Sequence, residues 1–142
     1  MERAIQQFEG KVHFILYPIA FRPPGEIATQ AALCAGEQGK FWEFHDMLFR
    51  RQALWSHLTA PLERLSDFAT DLALDTTALK SCVDSGRMQS LMKADIAYAE
   101  QLQVNSTPTT FINQQRVVGS QPEGDLIRLI RQELDRVQRP GQ

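Results

Sequence analysis

Two cysteines and a histidine are the side chains of this sequence best suited to redox or metal chemistry. Cys34 and Cys82 are 48 positions apart, which matches neither a redox C-x-x-C pair nor a zinc knuckle. Ten residues separate Cys34 from His45, a gap that fits no familiar zinc spacing, so we predict no metal site. An activated thiolate needs a partly exposed, electropositive environment. Both cysteines fall on apolar helical stripes, and we therefore expect no redox catalysis by this pair.

The stretch VNSTPTTFIN, residues 104–113, sets Pro108 directly before an apparent strand. Proline has no backbone N–H to donate to a strand ladder, and it is tolerated at the first residue of a strand. These residues alone favour an ordinary trans proline, because only about 5–6% of X-Pro bonds are cis. The stretch therefore predicts a strand that begins at Thr109.

The remaining titratable residues are expected to have structural roles. Asp95 lies on a helix with Lys93 and Glu100 nearby, and we expect it to be exposed. If it were buried, its pKa would rise and it could relay protons. His13 in an apparent buried strand and His57 in a loop are expected to hydrogen-bond to neighbours. The sequence contains no hydrolase triad, Gly-rich phosphate loop or paired-carboxylate site.

The aromatic-rich segment GKFWEFHDMLFRRQ is expected to contribute to the core and not to a ligand pocket. Its apolar side chains fall on adjacent helical stripes: Phe41, Trp42, Phe44, Met47, Leu48 and Phe49. His45, in the middle of the segment, is expected to be partly buried and hydrogen-bonded.

The order of elements predicts an α/β fold. Residues 1–9 fit a short helix, and KVHFILYPI at 11–19 predicts a strand buried on both faces. Helical periodicity runs from residue 26 to about 102. After it, TTFIN and RVVG predict an antiparallel hairpin joined by NQQ, and EGDLIRLIRQELDRVQ predicts an amphipathic terminal helix. This order predicts helices that cover a small sheet.

Composition excludes several classes of function. The 142 residues are 43% hydrophobic, enough for one compact domain with a core. A net charge of −2 and the lack of basic runs argue against nucleic acid as a partner. No apolar window approaches the roughly 18 residues of a membrane span, and the polar N-terminus is unlike a signal peptide.

Three phrases together resemble the DsbA-like branch of the thioredoxin superfamily: AALCAGEQGKFWEFHDMLF, LKSCVDSGR, and STPTTFIN followed by RVVG. Members of this branch are thiol-disulfide oxidoreductases in which a helical domain is inserted into a thioredoxin fold. The resemblance covers about Ile5 to Val137. It implies a single α/β thioredoxin-like domain over residues 1–142, with the helical insert at 26–102.

The resemblance implies a substrate site at Ser106, Thr107 and Pro108. Pro108 is then expected to follow a cis peptide bond and to face a redox dithiol, with substrate backbone docked along this segment. The implied partners are cysteine-containing polypeptides or a redox partner protein, and no cofactor is expected. The family's C-x-x-C motif begins the helix after its first core strand, where the helix N-terminus stabilises the thiolate. This sequence has no such motif, so no catalytic cysteine is assigned.

The resemblance also implies a fold that is incomplete at its N-terminus. The first core strand would lie between the strands at 11–19 and 109–113, and unpaired strand edges invite another chain. The two strands could pair directly, another chain could supply the strand, or the sequence could be a fragment of a longer product. We expect a fragment or truncated homologue, with self-association through the exposed sheet edge as the alternative. The family suggests an extracytoplasmic location, but without a signal peptide the compartment stays open.

Related sequences often carry a cysteine at the positions of Cys34 and Cys82. A disulfide between them would add about 4 kcal/mol of stability through loop-closure entropy. The alternative is a pair of buried free thiols that act as small hydrophobic side chains. The sequence is compatible with either state of the two cysteines.

The function implied by the resemblance is that of a DsbA-like thiol-disulfide oxidoreductase domain that acts on cysteine-containing polypeptides. Without the dithiol, this form is expected to be redox-inactive. The alternative is a non-catalytic thioredoxin-like module that binds peptides through the Pro108 loop or self-associates.

Overall fold

The computed structural model describes residues 2–138. Their helices and strands, in chain order, are α1 Glu2–Gln7, α2 Pro23–Glu37, α3 Phe41–Arg50, a 3-10 turn Gln52–Leu54, α4 Leu62–Asp71, α5 Thr76–Asp84, α6 Gln89–Gln101, β1 Thr109–Ile112, β2 Gln115–Val118 and α7 Glu123–Gln138. The chain divides into two compact units. The helical unit runs from Tyr17 to Tyr98, and the hairpin unit combines the residues up to Leu16 with those from Ala99 onward.

Helices α2 to α5 surround the core of the helical unit. Its largest fully buried side chains include Phe44, Phe68, Leu65 and Leu79. Helix α2 contributes a row of small buried residues, namely Ala28, Ala31, Ala32 and Ala35. Small side chains allow the neighbouring helices to pack closely against α2. Trp55 belongs to the same core. It is buried, and its Nε1 donates to the carbonyl oxygen of Leu48 at 2.9 Å.

Two features connect α2 to α5. Cys34 and Cys82 form a disulfide with their Cα atoms 5.9 Å apart, so the chain has a bridge here and no free thiol pair. Gln38, which follows α2, donates from Nε2 to the carbonyl oxygen of Asp75 at 3.1 Å and accepts from the Asp75 N–H at 2.8 Å. Asp75 in turn caps α5 by accepting from the Ala78 N–H, as an N-cap aspartate does.

The hairpin unit is built on an antiparallel pair, as predicted. Thr109 pairs with Val118 and Ile112 with Gln115, which leaves a two-residue turn at Asn113 and Gln114. Asn113 has a φ of +53°, a left-handed conformation that asparagine tolerates well. The sequence NQQ therefore supports a tight turn without the Asn-Gly pair that usually marks one.

The predicted strand at 11–19 is wrong. Residues 12–20 have no regular secondary structure, and β1 pairs only with β2 among residues 2–138. Val12 and Phe14 pack against the cluster of Ala4, Phe8 and Ile130, whereas His13 and Ile15 are exposed. The expected burial on both faces is therefore absent: Val12 and Phe14 pack against this cluster, and the ring of Tyr17 lies 5.3 Å from that of Tyr98. A strand also needs a hydrogen-bonded neighbour, and none of the described segments supplies one here.

Candidate functional site

The segment Ser106–Pro108 is the last part of the loop between α6 and β1, and all three of its residues are exposed. The Thr107–Pro108 peptide bond is cis. Two hydrogen bonds fix the segment beside β1. The Gly119 N–H donates to the Pro108 carbonyl oxygen at 2.8 Å, and the Thr109 hydroxyl donates to the Ser106 carbonyl oxygen at 2.7 Å.

Thr107 lies between the two carbonyl groups that accept these hydrogen bonds, and its own backbone N–H and carbonyl oxygen are not hydrogen-bonded to any of residues 2–138. Exposed, unpaired backbone next to a strand can pair with an extended polypeptide. The structure thus places the three sequence-predicted site residues together on one accessible edge.

Helix α6 ends in a well-formed C-cap at the start of this loop. The Val104 N–H donates to the Ala99 carbonyl and the Gln103 N–H to the Glu100 carbonyl, both at 2.9 Å. This pair of bonds is the Schellman motif. Gln103 occupies its left-handed position with a φ of +54°, where glycine is usually found.

Replacement of Gln103 by glycine is expected to stabilise the protein by about 1 kcal/mol, because a left-handed conformation costs a side-chain-bearing residue roughly 1–2 kcal/mol. The measurement is the free energy of unfolding in urea. Gln101→Gly, in the last turn of α6, is the matched control and should destabilise by about 0.5–1 kcal/mol. Equal destabilisation by both changes would contradict the prediction.

Arg116 on β2 contacts the same helix end. Its guanidinium donates to the carbonyl oxygens of Leu102, at 3.1 Å, and Gln103. It also lies over the ring of Phe111, with 5.7 Å between Cζ and the ring centroid. Sequence reasoning missed this residue. The available signal was the hairpin register, which pairs Phe111 with Arg116.

A buried carboxylate holds the far end of the hairpin. Glu133 on α7 accepts from the Asn113 amide at 3.1 Å and from the Gln115 amide at 3.3 Å. It also accepts from Arg136, at 2.8 Å at the closest approach. The hydrogen bonds from Arg136 and then from Asn113 lower the pKa of Glu133. The carboxylate is therefore ionised near neutral pH and fixes the turn to the terminal helix.

The bridged cysteines are not placed for catalysis. Cys34 and Cys82 are each 1% exposed, so their sulfurs are inaccessible to a substrate thiolate. His45 pairs with Asp46, with Nδ1 and Oδ1 3.1 Å apart, and lies beside the ring of Phe49. The described part of the chain holds no group of three or more side chains suited to binding a metal ion.

The expectation that Asp95 is exposed is wrong. Asp95 is buried, and burial raises the pKa of its carboxyl group. Its charged neighbours in sequence lie on other sides of α6, whereas Asp95 shares a face with Met92 and Ala99, which are also buried. Spacing of three and four residues therefore indicated the environment of Asp95 better than nearness in sequence.

The aromatic segment of α3 divides into a core side and a surface side. Phe44 and Leu48 are buried as expected, but Trp42 and Phe49 are 41% and 67% exposed. Trp42, His45 and Phe49 form a separate stripe, with the rings of Trp42 and His45 5.7 Å apart. The prediction that all these rings belong to the core is therefore wrong for Trp42 and Phe49.

A shallow cleft of about 580 Å³ lies between α1 and α7 in the hairpin unit. It is lined by polar side chains together with Gly124 and Ile127, and Arg3 and Glu123 form an ion pair across it at 3.4 Å. None of Ser106, Thr107 or Pro108 lines it. The candidate site is therefore an exposed backbone edge and not this cleft.

A small sheet, a helical lobe and an exposed proline loop before the hairpin define an α/β domain of the thioredoxin-like class. The chain belongs to the thioredoxin family, since the model of that family, described as "Thioredoxin", matches residues 2–132. It has an α/β thioredoxin-like fold that is mostly helical, with a small two-stranded sheet.

The chain is also similar to segments of longer proteins. It is 29% identical over 113 residues to a Na(+)/H(+) antiporter NhaA of Herminiimonas arsenicoxydans, covering 80% of this chain and 17% of that protein. It is 34% identical over 98 residues to Na(+)/H(+) antiporter NhaA 1 of Salinispora arenicola, covering 69% of this chain and 14% of that protein. The matched part of the chain therefore spans 14% to 17% of the length of these relatives. No solved structure matches it.

Among the described helices, none combines the length and the apolar character that crossing a membrane requires.

Proposed function

We propose that this chain is a DsbA-like domain that binds extended, cysteine-containing polypeptides along Thr107 and Pro108. The observation that carries the proposal is the exposed Thr107 peptide unit, whose N–H and carbonyl oxygen have no partner within residues 2–138. The resemblance to the DsbA-like branch, with a helical insert at 26–102, supports the same assignment.

The proposed binding mode is strand addition. Main-chain hydrogen bonds to Thr107 give affinity that depends little on sequence, and neighbouring side chains give selectivity. The Pro108 carbonyl oxygen already accepts a hydrogen bond from the Gly119 N–H. The incoming chain therefore pairs with Thr107. A polypeptide bound here is held extended, which exposes its cysteine to a thiol or disulfide supplied by a dithiol partner.

These 142 residues are not expected to carry out disulfide exchange by themselves. Disulfide exchange requires a thiolate to attack an accessible sulfur. The sequence has no C-x-x-C pair, and its two sulfurs are bonded to each other in the core. The chain alone is therefore a polypeptide-binding domain of an oxidoreductase family.

Binding can be tested with an extended peptide that carries serine in place of cysteine, followed through the backbone amide resonance of Thr107. We expect saturable shifts at Thr107. N-methylation of the one peptide amide that donates to the Thr107 carbonyl should weaken binding about fivefold, the equivalent of one net hydrogen bond. Thr107→Val, which keeps the peptide unit, is the control and should retain affinity. An unperturbed Thr107 resonance at saturating peptide would rule out the proposed site.

The absence of exchange activity is tested separately by insulin reduction and by oxidative refolding of a reduced substrate. The purified chain should accelerate neither reaction above the level of free thiol, and the Cys34→Ala/Cys82→Ala variant should give the same result. Activity that depends on either cysteine would overturn the assignment of the bridge as purely structural.

The relatives favour a second candidate, a non-catalytic module that serves a longer protein. Both are named as Na(+)/H(+) antiporters, and the similar segment is a small share of each. In this second candidate, the chain associates with a second copy of itself through the Thr107 edge. Sedimentation of the purified chain distinguishes the two, because self-association raises the mass with concentration and peptide binding alone does not.

A further inference from the structure

Strand β2 and the residue after it hold both ends of the loop that presents Thr107. At the loop's start, Arg116 donates to the carbonyl oxygens of Leu102 and Gln103, the two residues that follow α6. At its end, the Gly119 N–H donates to the Pro108 carbonyl oxygen at 2.8 Å. One short strand therefore sets the distance between the two ends of a seven-residue loop, 102–108.

The chemistry of Arg116 suits this role. Its planar, forked guanidinium can bind two carbonyl oxygens at once, which a lysine ammonium on a flexible stem does less well. The C-terminus of a helix carries partial negative charge that favours a cation. The contact with the ring of Phe111, its partner across the hairpin, restricts the side chain further.

We propose that Arg116 is a positioning residue for the Thr107 peptide edge, an inference that rests on the proposed function. Arg116 acts through Leu102 and Gln103, not through contact with bound polypeptide. By fixing the loop before binding, it removes the ordering cost that a mobile edge would pay on association. Affinity for polypeptide therefore depends on a side chain that lies on the neighbouring strand.

The test compares Arg116→Met, which keeps most of the apolar stem, with Arg116→Lys, which keeps the charge. Arg128→Met is the matched control, because Arg128 pairs with Asp125 on the surface of α7 at 3.1 Å. The readouts are peptide affinity, the order parameters of the amides at 104–107, and the melting temperature. Arg116→Met should lower affinity about tenfold and lower the order parameters, since the loop is no longer pre-organised. Arg116→Lys should restore part of both, and Arg128→Met should leave both unchanged.

The outcomes separate this inference from the proposed function. If the parent binds peptide and Arg116→Met binds it equally well with unchanged order parameters, the positioning role is wrong and the binding site stands. If the parent does not bind peptide, the proposed function fails. The order parameters then still decide whether Arg116 fixes the loop. A fall in affinity matched by an equal fall for Arg128→Met would show a general loss of stability and would also overturn the role.

Discussion

Reduction of the Cys34–Cys82 disulfide is expected to lower the free energy of unfolding by about 4 kcal/mol. The two cysteines are separated by 48 residues, and a bridge over a loop of that length restricts the unfolded chain by about this amount. For a chain of this size, the loss corresponds to a fall of roughly 10–15 °C in the melting temperature. The measurement is thermal unfolding followed by circular dichroism. It compares the oxidised protein with protein that was reduced in denaturant and refolded in a thiol reductant, because the native bridge is buried.

The Cys34→Ala/Cys82→Ala variant is the control for this experiment. It should melt at least as low as the reduced protein, and the reductant should not change its melting temperature. Both sulfurs are buried between α2 and α5, so the substitution also removes a little core packing. Equal melting temperatures for the oxidised and reduced forms would show that the bridge contributes nothing to stability.

The helices and the hairpin could be predicted because their signals are local. The stripe on α7 and the Asp75 N-cap of α5 are set by residues within a few positions of each other. Prediction failed at 11–19 because a strand is defined by its neighbour. KVHFILYPI has the composition of a strand, but no described segment pairs with it. Its apolar side chains pack singly, as Val12 and Phe14 do against an apolar cluster and Tyr17 does against Tyr98.

The sequence indicated where the candidate site lies, but not which residues hold its loop and hairpin in place. Pro108 before an apolar strand marked the loop, and family resemblance assigned it a role. Arg116 and Glu133 act across 13 to 20 positions of sequence, so their partners became visible only in the folded hairpin. Gln103 gave no signal at all, because glutamine is an unusual residue for the left-handed position of a helix C-cap.

Phe44→Ala is expected to destabilise the helical unit by about 3–5 kcal/mol. Phe44 is fully buried in the core that α2 to α5 surround, and a large-to-small change there loses apolar burial and leaves a cavity. Phe49, on the same helix, is 67% exposed, so Phe49→Ala should change stability by no more than about 0.5 kcal/mol. The two substitutions make the same chemical change and differ only in the side of α3 on which the phenylalanine lies.

The free energies are best obtained from urea unfolding followed by tryptophan fluorescence, because Trp55 is buried in the same core and hydrogen-bonded to the end of α3. Valid comparison requires equal urea dependence of the free energy in the three proteins. A large loss in Phe49→Ala would mean that the exposed ring is covered in solution. Since Phe49 lies on the stripe with Trp42 and His45, that result would identify this stripe as part of an interface and correct the assignment of α3 as a helix buried on one side only.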